Sequence, residues 1–264
     1  MRGNLSTLRC KNLEFGCILA TMNKTTAILA AVSEEIAGIK QAMNISDRIR
    51  LGKSEVWSGK WQGKNIVLVR TGVGKQRAAE AALKTIEQFS PDRLLSIGYA
   101  GGLVPELQVS DLIVADKIVD VESSEEFLPD QQWLQLAQNK SVSENYKVIS
   151  GKLVTTNKVI HCPIDKKEIG ERLSAQAVEM ETSAIAKVAT DKNFPFLSVR
   201  AISDSVEQKI LDSSSFLGND GEISKLKAGW YVLTHPGSIA SALSLRSQTQ
   251  QATRTMTEFV LHLL

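Results

Sequence analysis

Apolar residues fall in short unbroken runs along this chain. Thr25-Thr-Ala-Ile-Leu-Ala-Ala-Val32 is apolar after a polar start, and Asn65-Ile-Val-Leu-Val-Arg-Thr71 and Asp92 to Ile97 repeat the pattern. Runs of this kind suit strands covered on both faces by helices. A helical period follows the first two. Ser33 stands as an N-cap ahead of Glu34 and Glu35, with Ile36, Ile39 and Met43 behind them. After Gly72-Val-Gly74-Lys75 come Ala79, Ala82, Leu83, Ile86 and Phe89 at one-face spacing. Strands at Asp111 to Ala115, Lys147 to Val154 and Phe196 to Ile202 alternate with helical patterns at 129–138, 164–173 and 181–192. This order predicts an α/β fold of three layers, helix, sheet and helix, around a mixed, mostly parallel sheet. Gly218-Asn-Asp-Gly221 reads as a turn before a helical stretch to Leu233. The tail from Ser238 to Leu264 reads as a long helix whose Ile239, Leu243, Leu245, Met256, Val260 and Leu263 pack on the core or on a partner subunit, membrane contact being the weaker reading.

A chain of 264 residues, 43% hydrophobic, can bury one substantial core, so residues 24–264 are expected to form one domain with a helical tail. Residues 1–23 show no sustained period and read as a frayed extension, with Met22 a candidate start. Their apolar stretch, Phe15 to Met22, is about half as long as a membrane span. Lys and Arg number 31 against 29 Asp and Glu, which gives none of the basic excess that nucleic acid binding needs. Cys10, Cys17 and Cys162 are odd in number and lack metal spacing, which suits a reducing compartment. A cytoplasmic location is expected, with a peripheral seat on the inner membrane as the variant.

Ligands of open parallel sheets gather beyond the carboxyl ends of strands. Glu35, the glycine-rich Gly98-Tyr-Ala-Gly101-Gly102 and Ser203-Asp204 all fall there, so three loops should converge on one cleft. Val178-Glu-Met-Glu181 adds two carboxylates just before a helix. Glu179 and Glu181 point opposite ways if that stretch is extended, so one faces the cleft and Glu179 is read as structural. Several acids without a cluster of His or Cys point to acid, base and hydroxyl-binding roles, with no metal and no cofactor. Blander readings stand beside these. Asp204 could cap a following helix, and Glu34 and Glu35 could be ordinary first-turn acids. His161 and Cys162 read as a packed or surface pair, and Gly72-Val-Gly74-Lys75 lacks the spacing of a nucleotide phosphate loop.

Five motifs in order, Ala-Val-Ser-Glu34-Glu35, Thr71-Gly-Val-Gly-Lys75, Gly98-Tyr-Ala-Gly-Gly102, Val178-Glu-Met-Glu-Thr182 and Val199-Arg-Ala-Ile-Ser-Asp204, resemble the purine nucleoside phosphorylases and methylthioadenosine/S-adenosylhomocysteine nucleosidases over about residues 25–206. The resemblance implies that Asp204 protonates purine N7 with Ser203 orienting it, and that Glu181 accepts hydrogen bonds from ribose hydroxyls. It implies too that Met180 packs under the sugar, that Val159 and Ile160 contact the base, and that Glu35 activates water. Tyr99, Ala100 and Gly101 would line the nucleophile's side, where Tyr99 replaces a usual serine or threonine and should alter the oxygen contact there. Phosphorylases of the family carry arginine where this chain has Glu35 and Ser96. A carboxylate at Glu35 would repel phosphate by several kcal/mol at about 4–5 Å, so hydrolysis is favoured. Phosphorolysis and noncatalytic nucleoside binding remain the alternatives. A short stretch from Asp120 to Trp133 and a long tail resemble the hopanoid-associated branch, which implies an adenosyl substrate bearing a polycyclic lipid on its 5′ side. By resemblance, the partner is a second copy of the chain, in a homodimer.

Overall fold

A computed structural model describes residues 24–140, 146–209 and 238–264, with side chains of the last helix from Ser247 onward. The expected extension, the Gly218–Gly221 turn and the helical stretch to Leu233 lie outside the described residues, as do the side chains of Ile239, Leu243 and Leu245. Ten strands join one sheet. Strands β1 (Thr25–Ala30), β4 (Lys64–Arg70), β5 (Arg93–Gly102) and β10 (Phe196–Asp204) lie side by side and parallel in the order β4-β1-β5-β10. They are the near-continuous apolar runs of the sequence, and β10 is buried at every position. Between them in the chain come β2 (Asn44–Leu51), β3 (Ser54–Trp61), β6 (Leu112–Asp120), β7 (Glu126–Phe127), β8 (Val148–Thr155) and β9 (Ala177–Glu179).

The sheet is mixed, and its pairings divide evenly between parallel and antiparallel. β2, β3 and β4 form an antiparallel meander, β6 runs against β10 and β7, and β9 runs against β5. The predicted alternation missed the meander because β2, Asn-Ile-Ser-Asp-Arg-Ile-Arg-Leu, is exposed over most of its length and carries little apolar signal. Pairings β5–β10, β10–β6, β6–β8, β8–β9 and β9–β5 return to their starting strand, so one end of the sheet closes into a ring. β6 also runs on to Asp120, past the predicted end at Ala115.

Helices α1 (Ser33–Ala42), α2 (Lys75–Phe89), α3 (Gln131–Gln138), α4 (Pro163–Leu173), α5 (Thr182–Asp191) and α6 (Ser238–Leu263) cover the sheet. Two apolar clusters lie on its two faces. One joins Ile36 and Ile39 of α1 with Leu197 and Val199 of β10 and with Ala252, Met256, Phe259, Val260 and Leu263 of α6. The other joins Ala78, Ala81 and Ala82 of α2 with Ile185, Ala186 and Ala189 of α5. The described part of the tail thus packs on the core. No helix among the described residues is long and apolar enough to cross a membrane.

Candidate active site

The parallel strands β1, β4, β5 and β10 turn their carboxyl ends to the same side of the sheet, where Glu35 and Glu181 line one small cavity and Asp204 is not among its lining residues. β1 leads into α1, whose Glu35 is buried and turns back on its own helix start. Its Oε2 accepts the N–H groups of Ala31 (2.8 Å) and Val32 (3.0 Å), and its Oε1 accepts that of Tyr99 (2.9 Å). Val32, not Ser33, is the capping residue of α1, and the Glu35 carboxylate satisfies its N–H. Burial pushes the Glu35 carboxyl up from the usual carboxylate range, against the pull of these three N–H groups and of Arg200. Glu34 is exposed. Gly98 makes room for the arrangement, since a Cβ there would stand 2.7 Å from Glu35 Oε1.

Tyr99 is shared between Glu35 and α6. Its backbone N–H reaches Glu35, but its phenol leaves on the other face and hydrogen-bonds Thr253 Oγ1 of α6 at 2.5 Å. The phenol therefore lies in the packing against α6, because the strand's alternation sends the side chain there.

β4 ends in the turn Gly72-Val-Gly74. Both glycines hold positive φ, +84° and +100°, which favours glycine there. The Gly74 N–H then points at Glu181 Oε1, 2.8 Å away. Nothing in the sequence pattern had assigned this contact. Glu181 stands just before α5 without its side chain capping the helix, and loss of hydration pushes its carboxyl up to about 8, helped by the charges of Glu179 and Glu35. Glu179, two residues earlier, points the other way. It accepts the Arg200 guanidinium (3.1 Å), the Thr155 hydroxyl (2.6 Å) and the N–H groups of Glu181 and Thr182. Arg200 also bonds Ser96 Oγ (2.8 Å) and Thr182 Oγ1 (2.6 Å). Half-buried Met180 lies between the two acids.

The register of β10 against β5 slips between Ile202 and Asp204, leaving Ser203 as a bulge. A bulge re-aims the side chain that follows it. Asp204 is buried, and its Oδ1 accepts the Ser203 hydroxyl at 2.6 Å, while Ser203 Oγ also lies 3.3 Å from the Ala100 carbonyl. Residues 205–209, which follow Asp204 directly, form no helix, so Asp204 caps none there. Gly101 pairs with Asp204 on one side and Val178 on the other, and a Cβ there would come within 3.1 Å of Asp204 Oδ2.

Two lysines were missed. Lys166, on α4, is fully buried and pairs with Asp204 Oδ2. It lies on the same helical stripe as Ile169, Gly170 and Leu173, and a charge on an apolar stripe was the available signal. Gly170 lets α4 approach, since a Cβ there would meet the Leu103 carbonyl at 2.7 Å. Lys75, after the glycine turn, bridges Asp120 (2.7 Å) and Glu122 (2.5 Å), and Glu122 accepts the Asn157 N–H (2.8 Å). Against the upward push of burial, Lys75 and the Ser183 hydroxyl hold Asp120 down to about 2. Lys75 so ties the glycine turn to the segment 156–160, where Thr156 Oγ1 donates to the Lys158 carbonyl. Val159 and Ile160 are half-buried there, Ile160 against Leu103, Val154 and Val178.

Glu35, Glu181, Ser96, Thr71 and Arg200 line one small cavity of about 10 Å³, space for the centre of a single water molecule. Among the described residues, no three His, Cys, Asp or Glu side chains cluster so as to hold a metal ion. Cys162 is a free thiol.

Comparison with known proteins accounts for this layout. Residues 25–228 match the family model of the phosphorylase superfamily. Among solved structures, the chain is similar to the 5′-methylthioadenosine/S-adenosylhomocysteine nucleosidase of Neisseria meningitidis bound to methylthio-immucillin-A, with 24% identity over 91% of this chain and 98% of that one and a TM-score of 0.72. It is similar to the futalosine hydrolase of Helicobacter pylori at 21% identity over 92% and 98%, TM-score 0.72. A Colwellia psychrerythraea nucleosidase holding adenine matches at 20% identity over 91% and 94%, TM-score 0.73. The chain thus shares the fold of these proteins and belongs to the phosphorylase superfamily.

Proposed function

We propose that this chain is a purine nucleosidase that cleaves the N-glycosidic bond of an adenosyl compound with water as the nucleophile. The observation that carries the reading is Glu35, a buried carboxylate clamped by three N–H groups and facing a cavity with room for about one water. Arg200, which lines the same cavity, already has its charge paired with Glu179 and donates to two hydroxyls, so it offers little to a phosphate. The neighbours named for nucleosidase and hydrolase activity support the same choice.

In this reading Asp204, steadied by Ser203, protonates N7 so that the base departs neutral. Glu181, held by Gly74, binds ribose hydroxyls and gains attraction as positive charge grows on the sugar. Met180 packs under the ring, Val159 and Ile160 flank the base, and Ala100 and Gly101 form the floor between Asp204 and Val178. Glu35 takes a proton from water as it adds to C1′. The 5′ substituent is read as a bulky apolar group, an adenosyl-linked polycyclic lipid of hopanoid biosynthesis. The short turn after β6, closed by Asp120 accepting the N–H groups of Glu122 and Ser123, supports an open 5′ side. The working form is a homodimer.

Incubation with methylthioadenosine, S-adenosylhomocysteine, adenosine and an adenosyl lipid, with and without phosphate, tests this by product analysis. Free base and free sugar at a rate indifferent to phosphate are expected. Sugar 1-phosphate would establish phosphorolysis, and no cleavage would leave nucleoside binding. Asp204→Asn should lower turnover by about 100- to 10,000-fold with ligand binding retained.

A further inference from the structure

Asp204 is the group that hands a proton to the leaving base in this reading, and each of its oxygens already has a partner. Oδ1 is taken by Ser203 and Oδ2 by Lys166. The Lys166 Nζ has three acceptors around it, Asp204 Oδ2, the Ser205 carbonyl at 2.9 Å and the Gln208 carbonyl at 3.0 Å. Three acceptors match the three hydrogens of an ammonium. A buried cation is retained only where its partners are well placed. The fold supplies that placement twice. Gly170 brings α4 close to Leu103, and the strand end after the Ser203 bulge turns Asp204 and the Ser205 carbonyl towards Nζ. Of the exposed charges beside Lys166 on α4, Asp165, Lys167 and Glu168, Lys167 pairs with Glu207 at 2.7 Å.

Resting on the nucleosidase reading, we infer that Lys166 is the proton reservoir behind Asp204, so that the proton reaching purine N7 comes from its ammonium by way of the Asp204 carboxylate. As the C1′–N9 bond breaks, its electron pair passes into the purine and N7 gains a proton. That proton moves from Lys166 Nζ to Asp204 and on to N7, leaving Lys166 as the amine. Water adds to C1′ and gives its proton to Glu35. Once the base has left, a proton returns from Glu35 through solvent and Asp204 to Lys166, and the net change is nucleoside plus water to free base plus free sugar. Lys166 does not touch the substrate. It acts through Asp204, and its effect is confined to leaving groups that need a proton.

That confinement sets the experiment. Lys166→Met and Lys166→Arg are compared with the unmodified protein on methylthioadenosine, whose base must be protonated, and on 4-nitrophenyl riboside, whose phenolate leaves without a proton. Arginine keeps the charge but does not give up its proton. Both variants should lose about 100-fold or more in kcat on the purine substrate with KM within about threefold, and keep 4-nitrophenyl riboside turnover within about threefold. Equal losses on both substrates, near-normal turnover of methylthioadenosine by Lys166→Met, or its rescue by Lys166→Arg would each overturn the reservoir. If Lys166→Met fails to fold, Lys166→Arg decides alone. An unmodified protein inert towards every purine nucleoside refutes the nucleosidase reading and Lys166 with it, whereas an active one with active variants refutes only Lys166.

Discussion

Glu181 is pulled two ways, since its place near Glu179 and Glu35 and away from water favours a proton, whereas its work on a cationic sugar needs the anion. In the unfolded chain such a carboxyl ionises near its ordinary 4.5, but in the folded chain near 8. Between those values the folded state holds a proton that the unfolded state lacks. The stabilisation is therefore complete below about 4.5 and is lost as pH rises through about 8. Raised Glu35 acts in the same direction. The melting temperature of the ligand-free protein should accordingly fall between about pH 5 and pH 8.5, and Glu181→Gln should flatten that fall. Turnover should move oppositely. With Glu181 needed as the anion, kcat/KM should rise as pH passes through about 8, and Glu181→Gln should lower the rate reached above that pH; a flat profile in the unmodified protein would contradict the role of Glu181.

Strand ends and turns set these carboxylates in place, and glycines serve the fold in two distinct ways. Gly98 has no unusual φ, but its missing side chain is the space that Glu35 occupies. Gly63, in the turn between β3 and β4, has φ +81° and nothing within 4 Å of where a Cβ would stand. Gly98→Ala should displace Glu35, costing about 1–3 kcal/mol of stability and lowering kcat. Gly63→Ala should cost a comparable 1–2 kcal/mol, roughly the strain of a left-handed residue, with kcat unchanged. Paired melting and turnover measurements separate the two. Tyr99→Phe makes the complementary case, because the hydroxyl on Thr253 should be worth about 1 kcal/mol of stability while the N–H that holds Glu35 remains, so turnover should stay within a few-fold. This difference between backbone and side chain also marks how far the sequence could be read. Apolar runs identified β1, β4, β5 and β10, and therefore the side of the sheet on which Glu35 and Asp204 lie. Contacts that depend on φ or on a one-residue slip, the Gly74 N–H on Glu181 and the Ser203 bulge under Asp204, leave no periodic trace. Lys166 did leave one, but a lysine among Asp165, Lys167 and Glu168 reads as solvent-facing until its alignment with Ile169, Gly170 and Leu173 is counted.

At the scale of the molecule, the ring β5-β10-β6-β8-β9 fastens the Asp204 strand on both sides, and the tail helix closes the face behind it. α6 contacts β10, β5 and α1 together. Its Met256 and Val260 are fully buried, Phe259 nearly so, in the cluster that also contains Leu197, Val199 and Ile36. Thr253 adds polar contacts to the Tyr99 hydroxyl and to the Glu34 carbonyl, the residue beside Glu35. An apolar stripe engaged in this way is not available to a bilayer while the protein is folded. Phe259→Ala should therefore lower folding stability by about 3–5 kcal/mol, the range for a buried aromatic deleted from a packed core. A tail that served only as a surface anchor would behave differently, losing vesicle binding with the melting temperature unchanged. Thermal unfolding and vesicle co-sedimentation of the same variant distinguish the two, and because Phe259 packs on the strand that ends in Asp204, the loss of stability should bring a fall in turnover at temperatures approaching the lowered midpoint.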